Sequence, residues 1–162
     1  FGGMFYVLCK LATPDAKIVS IDFPEGEFAC GQPENPVEHL KKFGRPKQNL
    51  HILRVDSHLE STKKTISEIF KGRKVDLLFI DGDHTYEGVK KDWEMYSPFM
   101  KKGGTVAFHD IRHHHPDVTD DKGKPIKCDV EILWKELKQK YKTINLIEQE
   151  GQAWGGIGVL TI

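Results

Sequence analysis

The sequence predicts an α/β fold built on a mostly parallel sheet. Three observations carry that expectation. Short runs rich in β-branched and apolar residues recur along the chain, and helical patterns lie between them. The length of 162 residues, with 38% apolar and 30% charged side chains, suits one globular domain over residues 1–162. The runs KIVSI (17–21), LHILRV (50–55), VDLLFI (75–80) and TVAF (105–108) are close to continuously apolar, the pattern of strands covered on both faces.

The first residues, Phe1, Gly2 and Gly3 followed by Met4, Phe5, Tyr6, Leu8 and Leu11, read as a glycine loop entering a helix with no strand before it. A βα unit lacking its strand leads us to expect a longer native chain upstream. Residues 25–48 are irregular and rich in Pro and Gly, with one short helix over 37–43, and read as a surface connection in preference to a lid. Residues 61–70 place Ile66, Ile69 and Phe70 on one helical side. Tyr86, Val89, Trp93, Tyr96 and Phe99 follow helical spacing up to the stop at Pro98, and they read as core packing. A polar loop over 113–127 contains His113, His114 and His115, whose adjacency points to a solvated loop more than to a metal site. Val130, Leu133, Trp134 and Leu137 form the apolar stripe of a helix ending near Lys140. Residues 143–147 and 157–162 then read as two strands joined through Gly151, Gly155, Gly156 and Gly158.

Charge and cysteine content narrow the function classes. With 24 Lys+Arg against 24 Asp+Glu the formal net charge is zero, so no broad field favours nucleic acid or an anionic membrane. No apolar run approaches the roughly 20 residues that span a bilayer. Cys9, Cys30 and Cys128 are odd in number and widely spaced, as reduced thiols of a cytoplasmic protein would be, and they outline neither a disulfide framework nor a zinc knuckle.

The most informative feature is positional. Four expected strands each end in aspartate: Asp22, Asp56, Asp81 and Asp110. In an open parallel sheet the carboxyl ends share the edge where ligands bind. Asp is also favoured in turns and helix caps, so any one of the four has an ordinary structural explanation, but four in the same position favour function. Asp22 suits the hydroxyls of a ribose, while Asp56 with Ser57 offers an acceptor and a hydroxyl to a base. Asp81 and Asp110 either hold a hard divalent cation or raise one another's proton affinity. His84 and His109 lie beside them as ligands or as a general base, against the plainer reading of His84 as a turn residue.

The stretch VDLLFIDGDHTYEGVKKDW (75–93), followed by KGGTVAFHDI (102–111), resembles class I S-adenosylmethionine-dependent methyltransferases. It is most similar to the subgroup with IDGDHxYE and FHD signatures, which is close to macrolide-sugar and catechol O-methyltransferases. IDGDHTYEGV is the specific part of the match; VDS (55–57) and the Gly pair are weak alone. The resemblance implies a Rossmann-like, doubly wound sheet of seven strands, mostly parallel with an antiparallel C-terminal strand, whose first strand lies outside this sequence. It implies S-adenosyl-L-methionine as cofactor, with Gly2 and Gly3 as the remnant of the loop around its methionyl part. Asp22 would then meet the ribose, Asp56 and Ser57 the adenine, and Asp81 would be a further cofactor-side residue. Asp81, His109 and Asp110 match the positions that bind Mg2+ in metal-dependent relatives, and His84 matches the base. His109 replaces an acid found in certain relatives; imidazole is a poorer ligand for Mg2+ than carboxylate, which shifts preference toward a transition metal.

The reaction so implied is attack by a small-molecule hydroxyl, of a sugar or natural product, on the sulfonium methyl group. Two other classes compete. A metal-dependent hydrolase or hydroxylase would use the same Asp81, His84, His109 and Asp110, although no HExxH-type spacing is present. A Rossmann-like module without catalysis would use none of them. Self-association is compatible with the sequence and not specified by it.

Overall fold

The computed structural model describes residues 2–23, 36–112, 119, 123–124, 127–152 and 154–162. Their contacts gather into two compact units, Phe1–Thr62 and Lys63–Ile162. Cys30 and the histidines at 113–115 lie outside the described residues.

The first unit comprises α1 (Gly3–Leu11), β1 (Lys17–Asp22), α2 (Pro36–Lys41) and β2 (Asn49–Arg54). Its strands pair in parallel, from Lys17 opposite Asn49 to Asp22 opposite Arg54. Phe5, Cys9, Ile18 and Leu40 form the buried centre, with Phe43, Leu50 and Ile52 packed around it. Gly2 enters α1 with φ 77°, and a Cβ there would lie 2.4 Å from Leu40 Cδ2, so both backbone and packing exclude a larger residue. The last carbonyls of α1 have no helical donors and are satisfied from β2's approach. Arg45 donates to the carbonyls of Lys10 and Ala12, and Gln48 Nε2 to those of Cys9 and Thr13.

The chain passes to the second unit within α3 (Glu60–Phe70), whose Ile66 is buried as its spacing predicts. This unit holds β3 (Val75–Ile80), α4 (Tyr86–Tyr96) closed by a 3₁₀ turn at Ser97–Phe99, β4 (Met100–His109), α5 (Val130–Lys138), β5 (Lys142–Leu146) and β6 (Ile157–Thr161). Its sheet runs β3-β4-β6-β5, with β3 and β4 parallel and β6 antiparallel to both its neighbours. The fold is the expected α/β one, a parallel sheet closed by an antiparallel C-terminal strand. Phe108, Val106 and Leu160 of the sheet bury against Val89 of α4 and Val130, Leu133, Trp134 and Leu137 of α5.

Two local departures have physical reasons. β4 begins at Met100, five residues before the run expected from sequence: Met100 pairs with Val75, the register then shifts so that Leu77 meets Thr105, and Gly103 and Gly104 between them exchange backbone bonds with Ile162. β3 is an edge strand among the described residues, and Leu77 remains 43% exposed, so cover on both faces holds for β4 and not for β3. Among the described residues, no helix is long and apolar enough to cross a membrane.

A close approach in the core of the second unit lies on β6. Trp134 Nε1 donates to Asn145 Oδ1 at 2.9 Å, which fixes the indole over Gly158. A Cβ on Gly158 would come within 2.6 Å of that ring and 2.8 Å of Ile111. Gly158→Ala is therefore expected to lower unfolding stability by about 1–3 kcal/mol through overpacking, read as a lower urea midpoint at unchanged slope.

Candidate active site

Asp81 and Asp110 are neighbours because β3 and β4 are. The ladder pairs Ile80 with Phe108, so both strands release their next residues on the same edge of the unit. Asp110 turns there with φ 56°, a left-handed conformation that Asp tolerates better than most residues, and it is 6% exposed. Backbone bonds from Ile111 N to Gly156 O and from Arg112 N to Gly155 O hold the segment just after it.

His84 arrives through a short turn with its own supports. Asp83 Oδ1 accepts from Thr85 N at 2.8 Å, and Thr85 Oγ1 caps α4 by accepting from Gly88 N at 3.1 Å. The His84 carbonyl accepts from Asp129 N at 2.8 Å, which ties the turn to the start of α5. The imidazole lies between the two carboxylates: Nε2 is 3.2 Å from Asp81 Oδ1, and Nδ1 is 3.2 Å from Asp110 Oδ2. His109 completes the cluster, its Nδ1 3.1 Å from Asp81 Oδ1 and 3.4 Å from Asp110 Oδ1. That Nδ1 is buried and has charge contact without an aligned hydrogen bond.

These contacts set the charge states. Bonds to Asp110, then Asp81 and Cys128, raise His84 to about 11 against the opposing effect of burial. Contacts with Asp110 and Asp81 likewise raise His109 to about 10. Burial pushes both carboxyls up, but the close contacts and charges of His109 and His84 outweigh it, so Asp81 is lowered and Asp110 lies well below the usual carboxylate range. Two carboxylates and two imidazolium rings thus balance one another, and in this state His84 holds a proton that a base must first give up.

Cys128, which the sequence offers only as a reduced thiol, also belongs here. It is buried, free of any disulfide, and donates from Sγ to the Asp110 carbonyl at 3.4 Å. Ligand atoms of Asp81, His84 and His109 lie within 4.8 Å of one another, as do those of His84, Asp110 and Cys128. No spacing in the sequence marks Cys128, because α5 brings it in through the Asp129–His84 bond.

The remaining expected residues lie in the first unit. Gly2 and Gly3 start α1, and a Cβ on Gly3 meets nothing within 4 Å. Asp22 ends β1 and is bound by Arg54 from β2, a partner set by the strand register, while its side chain stays half exposed. Asp56 follows β2; its Oδ1 accepts from His58 N at 2.7 Å and its carbonyl from Thr62 Oγ1 at 2.7 Å, with Ser57 within the same turn. Each pair of aspartates therefore lies at the carboxyl ends of its own parallel strands.

The parallel α/β sheet closed by an antiparallel strand is the arrangement of class I S-adenosylmethionine-dependent methyltransferases. A family model described as a methyltransferase domain matches residues 1–111, and the chain belongs to that family. The uncharacterized protein R132 of Acanthamoeba polyphaga mimivirus is 32% identical over 85 residues, which are 52% of this chain and 38% of that protein. Among solved structures, a candidate O-methyltransferase of Nostoc punctiforme aligns over 99% of this chain and 56% of its own, at a TM-score of 0.56 and 10% identity. The N-methyltransferase NodS of Bradyrhizobium japonicum, in complex with S-adenosyl-L-homocysteine, aligns over 90% and 66% (TM-score 0.51, 12% identity). The MycE methyltransferase of the mycinamycin biosynthetic pathway, with Mg, S-adenosyl-L-homocysteine and mycinamycin VI, aligns over 99% and 47% (TM-score 0.51, 11% identity). At these identities the likeness is one of fold, and the chain spans little more than half the length of the Nostoc protein and less of R132.

The charge balance has a signature in the metal-free protein. His84 is raised from 6.5, so its stabilisation is complete below that value and fades as pH climbs toward about 11. Asp110 is lowered from 3.8, so its stabilisation is present above that value and is lost as pH falls below it. The melting-temperature gap between the native chain and His84→Asn is expected to be widest between pH 3.8 and 6.5 and to narrow on both sides. A gap independent of pH in differential scanning fluorimetry would refute the charge assignment.

Proposed function

We propose that this chain catalyses S-adenosyl-L-methionine-dependent O-methylation of a small-molecule hydroxyl, on a sugar or natural product, with His84 as proton acceptor and a divalent cation in support. The carrying observation is the single cluster of Asp81, His84, His109 and Asp110 at adjacent parallel strand ends, in a chain of the methyltransferase family. MycE, which shares the fold, is a methyltransferase whose structure holds Mg, S-adenosyl-L-homocysteine and a macrolide.

The residues present fit both groups. A Cβ on Gly3 would meet nothing within 4 Å, so the start of α1 has room beside it for the methionyl end of the cofactor. Asp22, half exposed and held in place by Arg54, would accept from ribose hydroxyls, and Asp56 with Ser57 would meet the adenine. The buried Nδ1 of His109, unaligned with either carboxylate, is a donor atom that a cation held by Asp81 and Asp110 would satisfy. Two carboxylates and an imidazole accept Mg2+ but suit Mn2+ or Co2+ better. The cofactor supplies an activated methyl group, and the cation supplies a positive charge that lowers the pKa of the acceptor hydroxyl.

The chain's own work is to orient the hydroxyl and take its proton. His84 would be the residue to take that proton: with Asp81 and Asp110 holding a cation, its imidazole would no longer be kept protonated by the two carboxylates. Buried Cys9 and Cys128, both free thiols, accord with a cytoplasmic setting.

A thermal-shift series with S-adenosyl-L-homocysteine, with and without Mg2+ or Mn2+, tests the reading. Stabilisation by the nucleoside is expected, about 2.7 kcal/mol at a hundredfold excess over Kd, and Asp22→Ala should weaken it at least tenfold. Stabilisation by metal alone would favour a hydrolase, and none by either would leave a non-catalytic module. In assays of labelled methyl transfer to hydroxyl acceptors, His84→Ala should lose about 10²–10⁴ in kcat with nucleoside affinity kept. Equal loss of both would make His84 structural.

A further inference from the structure

We infer that His84, Asp110 and Cys128 form a second, thiol-containing cation site that takes a thiophilic ion such as Zn2+, and that filling it inhibits methyl transfer by occupying the proton acceptor. The inference rests on the proposed role of His84 and extends it.

Three kinds of donor meet at one place: an imidazole nitrogen, a carboxylate oxygen and a sulfur. Their ligand atoms lie within 4.8 Å of one another. The ligand atoms of a tetrahedral zinc site stand roughly 3.3–3.8 Å apart, so a contraction of about 1 Å by side-chain rotation closes the group. His84 Nδ1 is already 3.2 Å from Asp110 Oδ2. Cys128 Sγ, 3.4 Å from the Asp110 carbonyl, sits on the same residue. Asp110 and Cys128 are 6% and 2% exposed, so neither is an incidental surface group.

The other nitrogen of His84 is also provided for. Nε2 lies 3.2 Å from Asp81 Oδ1, the arrangement in which a carboxylate orients a metal-bound imidazole and strengthens it as a ligand. The set is then one nitrogen, one oxygen and one sulfur with a fourth position for solvent, a soft-to-borderline combination that Mg2+ does not favour and Zn2+ or Co2+ does. On binding, the thiol and the His84 imidazolium each release a proton to solvent, so that the thiolate and the lone pair so freed on Nδ1 are given to the ion while Nε2 keeps its proton toward Asp81. Asp110 is common to this set and to the harder set of Asp81, His109 and Asp110, so the two cannot be filled independently. A hard cation leaves His84 available, whereas a thiophilic one removes it.

Co2+ titration of the full chain followed by absorption spectroscopy tests the site without donor or acceptor present. One equivalent should produce a thiolate-to-cobalt charge-transfer band in the near ultraviolet, displaced by Zn2+ and not by Mg2+. Cys128→Ser and Cys128→Ala should abolish the band and weaken Zn2+ binding at least tenfold by calorimetry, while Cys9→Ser leaves both unchanged. In methyl-transfer assays, Zn2+ should inhibit the native chain, and its inhibition constant should rise at least tenfold in Cys128→Ser when each chain is compared with its own zinc-free rate. A native chain without the band, or a band that survives Cys128→Ser, overturns the site. Because that spectrum needs no turnover, a failed methyltransferase reading would leave it intact, and the reverse also holds.

Discussion

The second unit is organised around one electrostatic constraint: two carboxylates leave neighbouring parallel strands and must be neutralised where they emerge. Pairing of Ile80 with Phe108 brings Asp81 and Asp110 to the same edge, and burial of Asp110 raises the cost of its charge. His84 bridges the two carboxylates through its two nitrogens, and His109 approaches both with one. The left-handed turn at Asp110 follows from the same need. It allows the side chain to lie within reach of both rings while the backbone goes on to bond Gly155 and Gly156. Every member of this compact quartet is a group that can bind a proton or a metal ion.

Much of this was legible in the sequence because it is local. The IDGDH run places Asp81 and His84 three residues apart around a turn, and FHD places His109 and Asp110 at a strand end. Their convergence needed only that two consecutive strands pair in parallel, which the intervening helical pattern of α4 already favours. The N-terminal half of β4 was not legible, since it joins β3 only through Met100 and Val75 and is otherwise held by bonds of Gly103 and Gly104 to Ile162, which no local pattern reports. The shorter ends of α2 and α5 are of the same kind, because where a helix frays depends on packing that a periodicity does not report.

Two partnerships escaped the sequence for a different reason. Arg54 meets Asp22 only through the β1–β2 register, which no motif encodes, although it follows at once when the strands are aligned. Cys128 lies 18 residues beyond Asp110, past a polar segment with no periodicity of its own. It reaches the cluster because α5 packs Val130, Leu133, Trp134 and Leu137 onto the sheet, and the residues just before the helix are carried along. Chemistry delivered by packing is invisible to spacing.

The glycines of the signature separate what is structural in it from what is chemical. A Cβ on Gly88 would fall 2.2 Å from Asp83 Cγ, so Asp83 can hold the Thr85 amide only if the first turn of α4 is bare at that point. A Cβ on Gly82 would stand 3.0 Å from Asp92 Oδ2, so the turn passes close over the buried acid of α4 by the same means. Asp83, Thr85, Gly82 and Gly88 therefore build the turn, and Asp81 and His84 are what the turn presents. A sequence keeping those four while losing Asp81 or His84 would retain the shape without the chemistry. One keeping the two ligands while enlarging Gly88 would keep the chemistry's residue types but lose their placement. The signature is specific because both requirements are written into the same few residues.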